Sequence, residues 1–385
     1  ARQVAAWIDE TAPISVFYFG EGDGRTRIVQ NRSGPDPDFY NHVFGLPRTM
    51  APSFSELVAA SDAQPPIKFI SINDPEKEFD IAPGLKQRFD GQLSITRTHP
   101  WLVEGTALGI DKGEGLRRLC ARLGIDPVEM EGFNCCGYPV RNADHRAYVL
   151  SAAKNLALAE RAGLDMLVMC KCCYGSLKKA AYLLNRDPDL KADINGILAK
   201  ENLEYKNTIQ VKHLLSVLYH DVGLARLKEN ISKTYSGLQI AVSYGCHALR
   251  PSTVTEFDDP VSPKIFDELV EATGAFSVEW TRKLDCCGAP LTGINDQLAM
   301  KMAQKKIDSA REAGAQFICT ACPYTQLQFD GVQMRMAAQS NNSEPLVPIL
   351  YPQLLGLCMG IDEKTLGISK SEFDLSDINS FLMAE

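Results

Sequence analysis

A chain of 385 residues is long for one core, so two or three domains are expected, and a hydrophobic fraction of 45% leaves enough apolar side chain to bury them. A net charge of -8 argues against nucleic acid or an anionic membrane surface as the main partner. No apolar run of roughly 18 residues, secretory leader or lipidation box is read in it, and twelve cysteines crowded into short clusters imply metal or redox chemistry in a reducing, cytoplasmic setting.

Residues 1 to about 105 contain no cysteine and many turn-formers, among them Gly20-Glu21-Gly22-Asp23-Gly24 and Ser33-Gly34-Pro35-Asp36-Pro37. Two apolar runs there, Ile14 to Phe19 and Ile67 to Ile72, read as short buried strands. The rest of this stretch is expected to be irregular, an accessory region beside the cysteine-bearing part. From about residue 108 the pattern is regular. Leu116, Leu119, Cys120 and Leu123 mark a helical face, and Ala152 to Ala162 is an alanine-rich helix ending at Gly163. Met166 to Met169 then reads as a strand delivering Cys170, followed by a helix over Ser176 to Leu184.

A polar connection with an exposed helix spans Asn185 to Asn207, after which the scheme repeats. Leu238 to Tyr244 is a strand delivering Cys246, Ile265 to Ala275 a helix, and Asp296 to Ala313 a long helix closed by Gly314. Phe317 to Ile318 is a strand running into the last cysteines. The fold class is therefore α/β: two pseudo-symmetric half-domains of short parallel strands with flanking helices, preceded by an irregular N-terminal region. The expected boundaries are 1–105, 106–235 and 236–385, the last with a C-terminal tail.

The cysteines repeat as well. Cys135-Cys136-Gly137-Tyr138-Pro139 is followed after 33 residues by Cys170-Lys171-Cys172-Cys173. Cys286-Cys287-Gly288-Ala289-Pro290 is followed after 34 residues by Cys322-Pro323-Tyr324-Thr325. Soft thiolates suit iron and zinc, and adjacent cysteines fit different irons of one cluster better than a tetrahedral zinc site, whose ligands are usually spaced. Gly137 and Gly288 leave room beside the metal, and Pro139 and Pro290 stiffen the loop exits. Buried thiols account for Cys120 and Cys358, each on an apolar helical stripe, but not for a duplicated Cys-Cys-Gly-x-Pro loop.

The stretch from about 108 to 360 resembles the B-type subunit of heterodisulfide reductase, the family defined by two cysteine-rich CCG domains. The resemblance is carried by Met130-Glu131-Gly132 before Cys135-Cys136, by Gly163-Leu164-Asp165 leading to Cys170, and by Cys173-Tyr174-Gly175-Ser176-Leu177. In the second half it is carried by Tyr244-Gly245-Cys246-His247, Arg250-Pro251-Ser252, Cys286-Cys287-Gly288, Cys322-Pro323, Leu327-Gln328-Phe329-Asp330 and Leu354-Leu355-Gly356-Leu357. It implies two 4Fe–4S clusters, non-cubane in the family and non-cubane or cubane here. Each family domain uses one upstream cysteine, the pair, and two in a terminal C-x-x-C. It also implies a small sulfur substrate and two kinds of partner, a cubane-cluster protein resembling heterodisulfide reductase C and a flavin protein resembling heterodisulfide reductase A. The metal ligands so implied are Cys135, Cys136, Cys170 and Cys173 in the first half and Cys246, Cys286, Cys287 and Cys322 in the second.

The sequence departs from that pattern twice. No upstream cysteine precedes the first pair; its expected place is near Val103, with Glu21 after the strand Ile14–Phe19 as a second candidate. In the second half Thr325 stands where the last cysteine is expected; Cys319 is counted with the metal ligands in its place, and Cys172 in the first half is an extra thiol that can substitute. His247, beside Cys246, is the candidate catalytic residue as a proton or hydrogen-bond donor to substrate sulfur, or else a histidine satisfied at a strand end. Lys171, Lys178 and Lys179 form either a carboxylate or partner patch or a solvated helix face, while Tyr138 and Tyr174 shield the first site. The functions implied are an oxidoreductase subunit acting on sulfur groups, a non-catalytic electron relay, or a zinc-stabilised structural protein.

Overall fold

The computed structural model describes all residues except 12–13, 21–25, 33–47, 61–65, 67, 73–80, 100–101, 108–111, 131, 340–343, 369–370, 372 and 385. Glu21 and the turn-rich runs at 21–24 and 33–37 therefore lie outside the described residues. The chain divides into two compact units, Ala1–Glu114 and Gly115–Glu385.

The first unit is ordered where the sequence reads as irregular. Strands β1 (Ile14–Gly20), β2 (Thr26–Gln30), β3 (Arg48–Met50), β4 (Lys68–Ile72), β5 (Leu93–His99) and β6 (Leu102–Ala107) form one sheet in the order β3-β2-β1-β4-β6-β5. Its pairings are antiparallel except for β2 with β3. Strand alternation sends Phe17, Phe19, Val29, Phe69 and Val103 into one core with the helices α1 (Arg2–Thr11), α2 (Phe54–Ala60) and α3 (Ile81–Arg88). Phe17 stacks on Phe54 with ring centroids 4.1 Å apart. The sequence hides β2, β5 and β6 because none of them holds more than two apolar residues in a row. Val103, the expected place of a missing ligand, is a fully buried core residue of this sheet, paired with Ser71 and Arg97.

In the second unit the first half contributes α4 (Lys112–Arg122, which begins just before the unit boundary), α5 (His145–Ala162), β7 (Met166–Val168), α6 (Lys171–Arg186), α7 (Pro188–Leu198) and β8 (Val211–His213). The strand β9 (Lys233–Tyr235) connects to β10 (Gln239–Ser243), and β11 (Phe276–Ser277) comes next. Then come α8 (Asp296–Glu312), β12 (Phe317–Thr320), α9 (Pro323–Gln339), β13 (Val347–Leu350), α10 (Tyr351–Cys358) and β14 (Leu382–Ala384). The helix–strand–helix–strand run α5-β7-α6-β8 recurs as α8-β12-α9-β13, which makes the halves pseudo-symmetric. All pairings in the sheet β11-β10-β12-β13 are parallel, as is β7 with β8. Among the described residues β7 pairs with β8 alone, so β10, the strand that leads to Cys246, has no counterpart in the first half. That is the physical form of the missing upstream cysteine.

One hydrophobic cluster runs through both halves, from Leu119, Leu156 and Tyr205 to Leu238, Phe266, Tyr351 and Ile378. Gly115–Glu385 is one compact unit in which the two halves share this cluster. Cys358 lies buried in that cluster and Cys120 is buried on α4, the packing roles expected of both. Among the described residues no helix is long and apolar enough to cross a membrane.

Candidate metal centre

Each Cys-Cys-Gly loop runs into a single 3-10 turn with proline near its start, Tyr138–Val140 or Ala289–Leu291. A long helix comes next, capped by a short polar side chain. Asp144 accepts the N–H of Ala147 at 2.9 Å, and Asn295 that of Leu298 at 3.1 Å. The glycines explain how loop and helix come so close. Gly137 has φ 78° and a Cβ there would stand 2.7 Å from the carbonyl oxygen of Tyr148; Gly288 has φ 82° with that of Ala299 at 2.5 Å. Only a residue without a side chain fits both the left-handed backbone and the contact.

The second cysteine group arrives from strand ends. Cys170 follows β7 as the N-cap of α6, which places Cys172 and Cys173 in the helix's first turn. Cys322 stands just before α9 in the same relation to β12. A helix N-terminus favours anionic sulfur.

The thiols then gather across the pseudo-symmetry. The sulfurs of Cys170 and Cys322, equivalent positions in the two halves, lie 3.6 Å apart. Together with Cys172 they form a trio within 4.8 Å of one another. Sulfur contacts run from Cys135 to Cys136, on to Cys173 and to Cys170. In the second half Cys246 contacts Cys286, and Cys286 contacts Cys287. Thr325, where the family pattern has its fifth cysteine, lies 3.5 Å from Cys287 through its hydroxyl. The Gly288 N–H donates to Cys286 at 3.4 Å.

These contacts prepare thiolates. Thiol donors, Cys135 first and then Cys173, hold Cys136 down at about 3. Cys172, Cys173 and Cys322 likewise push Cys170 well below the ordinary thiol range. Cys246 falls to about 7 because Cys286 donates to it. The same contacts raise the donor thiols Cys135, Cys172, Cys173 and Cys287, so each group shares negative charge on one sulfur, and metal ligation would complete the deprotonation.

Cys319 does not join them. Strand β12 extends through Thr320, two residues beyond the sequence reading, and pairs Cys319 with Val242 and Ile349. It is fully buried in the hydrophobic cluster, and burial pushes its thiol above the ordinary range. Cys172, the other extra thiol, is the one drawn to the site. His247 also lies there, its Nδ1 3.3 Å from the Cys172 sulfur and its ring edge-on to Tyr138. Burial, then the Arg141 charge, lowers its pKa to about 4, so it is neutral at pH 7 rather than poised near working pH.

Packing also settles the places of the neighbouring residues. Lys178 pairs with Glu256 at 3.1 Å and Lys179 lies over the Tyr182 ring, so with the buried Lys171 they form no open patch. Tyr174 is a structural residue, its hydroxyl donating to the Thr255 carbonyl. His213 is fully buried against the Met169 carbonyl.

Sequence reading missed two fully buried ammonium groups. Lys171 donates to the Ser243 carbonyl at 2.6 Å, and Lys306 to the carbonyls of Asp285 at 2.7 Å and Lys283 at 3.1 Å. Lys306 was findable: it stands as far past Cys286 as Asn155 stands past Cys135.

The residues fit an iron–sulfur group. The donors are soft sulfurs, two of them held as thiolates at low pKa, grouped on both halves. The Tyr138 hydroxyl is buried without a hydrogen-bond partner and faces Cys172, Cys246 and Cys286. An acceptor among those sulfurs, such as inorganic sulfide, would satisfy it.

Comparison with known proteins agrees with this reading. The family model for the CCG cysteine-rich domain matches residues 109–178 and 240–330. One for haloacid dehalogenase-like hydrolases matches 52–131, reaching from the N-terminal unit into the start of the second. The chain is 38% identical over 269 residues to the B-type subunit of the ferredoxin/F420H2-dependent CoB-CoM heterodisulfide reductase of Methanosarcina acetivorans, covering 68% of this chain and 88% of that protein. It is 35% identical over 271 residues to the 8-methylmenaquinol:fumarate reductase membrane anchor subunit of Wolinella succinogenes, covering 70% of this chain and 94% of that protein. A solved structure of a hypothetical protein from Helicobacter pylori shares the fold, with TM-score 0.53 and 14% identity over 81% of this chain and 58% of that one. With its two CCG regions and its likeness to the methanogen protein, the chain belongs to the family of heterodisulfide reductase B-type subunits.

Proposed function

We propose that this chain is an iron–sulfur oxidoreductase subunit that passes electrons to or from a disulfide or thiol sulfur inside a larger complex. The observation that carries it is the meeting of both halves' thiols, with Cys170 and Cys322 3.6 Å apart and their neighbours on either side. Cys135, Cys136, Cys170 and Cys172 or Cys173 would hold a first cluster, and Cys246, Cys286, Cys287 and Cys322 a second, either non-cubane or cubane 4Fe–4S. Such clusters supply one-electron redox chemistry and an iron able to bind substrate sulfur.

The chain's own groups shape that site. Thiol contacts lower Cys136 and Cys170 at the expense of Cys135, Cys172 and Cys173, and Thr325 hydrogen-bonds Cys287. His247, neutral, would orient a sulfur through Nδ1 rather than give up a ring proton. Twelve unpaired cysteines fit a reducing, cytoplasmic setting, and the kinship fits partners that carry cubane clusters and flavin.

Iron and acid-labile sulfide counted on the anaerobically purified chain test the cofactor; a colourless protein with zinc and no sulfide would end this reading. Cys136→Ala and Cys287→Ala should each remove one EPR signal and leave the other. Turnover of a disulfide with an artificial electron donor tests the reaction. A second reading, an electron relay without its own substrate, is favoured by the absence, among the described residues, of a β10 counterpart in the first half. It predicts clusters reduced through a partner and no disulfide turnover.

A further inference from the structure

The two halves hold their cysteine pairs with the same clamp but with different charge. In the first half Asn155, 3% exposed, grips the residue before the pair: its Nδ2 donates to the Asn134 carbonyl at 3.0 Å and its Oδ1 accepts the Asn134 N–H at 2.8 Å. In the second half Lys306, fully buried, occupies the same place on the equivalent helix. Its ammonium donates to the carbonyl of Asp285, the residue before Cys286, at 2.7 Å, and lies 5.2 Å from the centre of the Trp280 ring. Since a neutral amide does this mechanical work in one half, the ammonium in the other is not required for holding the loop.

A buried ammonium is costly unless negative charge stands nearby. The groups that answer Lys306 are Cys287 first, then Asp285, Cys246 and Cys286. Asp285 is half exposed and already pairs with Arg282, so the buried groups beside the ammonium are the sulfurs, which would carry full negative charge once ligated. The other buried ammonium, flanked in sequence by Cys170 and Cys172, lies between the two groups and does not distinguish them. Lys171 donates to the carbonyl of Ser243, on the strand that leads to Cys246, and its sulfur neighbours are Cys322, Cys319 and Cys287. Beside the first site Arg141 lies partly exposed over the Tyr138 ring and is screened by solvent.

We propose that Lys306 makes the second-half cluster the more easily reduced of the two, so that a single electron entering the pair rests on the sulfurs and iron held by Cys246, Cys286 and Cys287. The step is a one-electron reduction by a low-potential donor, dithionite in the test, and no bond is made or broken. Positive charge near a cluster stabilises its reduced, more negative state. Lys306 is a positioning and tuning residue and takes no part in bond chemistry. The inference rests on the two-cluster reading of the proposed function.

The test is an anaerobic redox titration of the full chain followed by EPR, with the two signals assigned by their loss in Cys136→Ala and Cys287→Ala. In the wild type the second-half signal should appear at the higher potential. Lys306→Asn, which installs the first half's residue, should lower the reduced-to-oxidised ratio of that cluster about tenfold at fixed potential, a 59 mV shift for one electron, and leave the first-half cluster unmoved. If Lys306→Asn fails to retain its iron, Lys306→Gln and the reciprocal Asn155→Lys, which should raise the first cluster's potential, carry the test. Coincident wild-type potentials, the reverse order, or variants that shift both clusters alike would overturn the proposal while leaving the two-cluster reading intact. A wild type without iron and sulfide would remove both.

Discussion

Gly137 and Gly288 allow a quantitative test of how the cysteine loops are built. Replacing either by alanine puts a Cβ at a positive φ, which costs an L-residue about 1–2 kcal/mol. It also drives that carbon to 2.7 Å from the Tyr148 carbonyl oxygen or 2.5 Å from that of Ala299. Both obstacles are helix backbone and cannot rotate away, so the loop must move, at about 1–3 kcal/mol for overpacking. The sum is about 2–5 kcal/mol, less about 0.4–1 kcal/mol gained because alanine restricts the unfolded chain. Gly163 provides the control. It has φ 67° and nothing within 4 Å of a built Cβ, so Gly163→Ala should show the backbone cost alone, about 1 kcal/mol after the same offset. Urea unfolding of the three variants, followed by the helical circular dichroism signal, compares them at constant slope. Gly137→Ala and Gly288→Ala should also lose iron, because the displaced loop carries Cys136 or Cys287. Equal midpoints for all three variants would refute the close-approach argument, and full iron in the loop variants would refute the link from loop position to ligation.

Other expectations separate core from site. Cys319→Ala should leave iron and sulfide counts unchanged and cost about 1 kcal/mol of stability as a small buried deletion, whereas Cys322→Ala should lower the iron count. Tyr138→Phe removes a buried hydroxyl that has no partner, so it should leave the urea midpoint of the cluster-free chain level or raised while changing the EPR line shape of the loaded one. Burial, then the Lys171 charge, lowers the His213 pKa from 6.5 to about 3. The unfolded chain therefore takes up a proton that the native state refuses between those values. Its contribution is complete above pH 6.5 and is lost as pH falls toward 3, by up to about 1.4 kcal/mol per pH unit. Urea midpoints measured from pH 7 to 4 should fall less steeply in His213→Gln than in wild type, and identical slopes would contradict the assignment.

Much of the site was legible because its chemistry is local. The duplicated Cys-Cys-Gly-x-Pro loops, the helix after each, and the strand ends that present Cys170 and Cys246 depend on residues near one another in sequence, where turn, cap and strand preferences act. Cys120 and Cys358 were separable from the ligands by their place on apolar helical faces. The N-terminal unit was less legible: several of its strands hold at most two apolar residues in a row and meet partners far along the chain, as Val103 does with Ser71. Cys319 and Cys172 could not be ranked from spacing, since one added residue of strand turns the former into the core while the first turn of α6 carries the latter to Cys170 and Cys322. Charge was the most hidden. Lysine is a surface residue by default, and only the packed structure shows Lys171 and Lys306 enclosed with their ammonium groups bonded to carbonyls. The sequence by itself thus determined which atoms suit a metal and that they come as a repeat, because those preferences are short-ranged. Tertiary structure decided which sulfurs meet, which stay buried apart, and which lysines lie enclosed beside them, because distances between remote segments exist only once the halves have packed on one core.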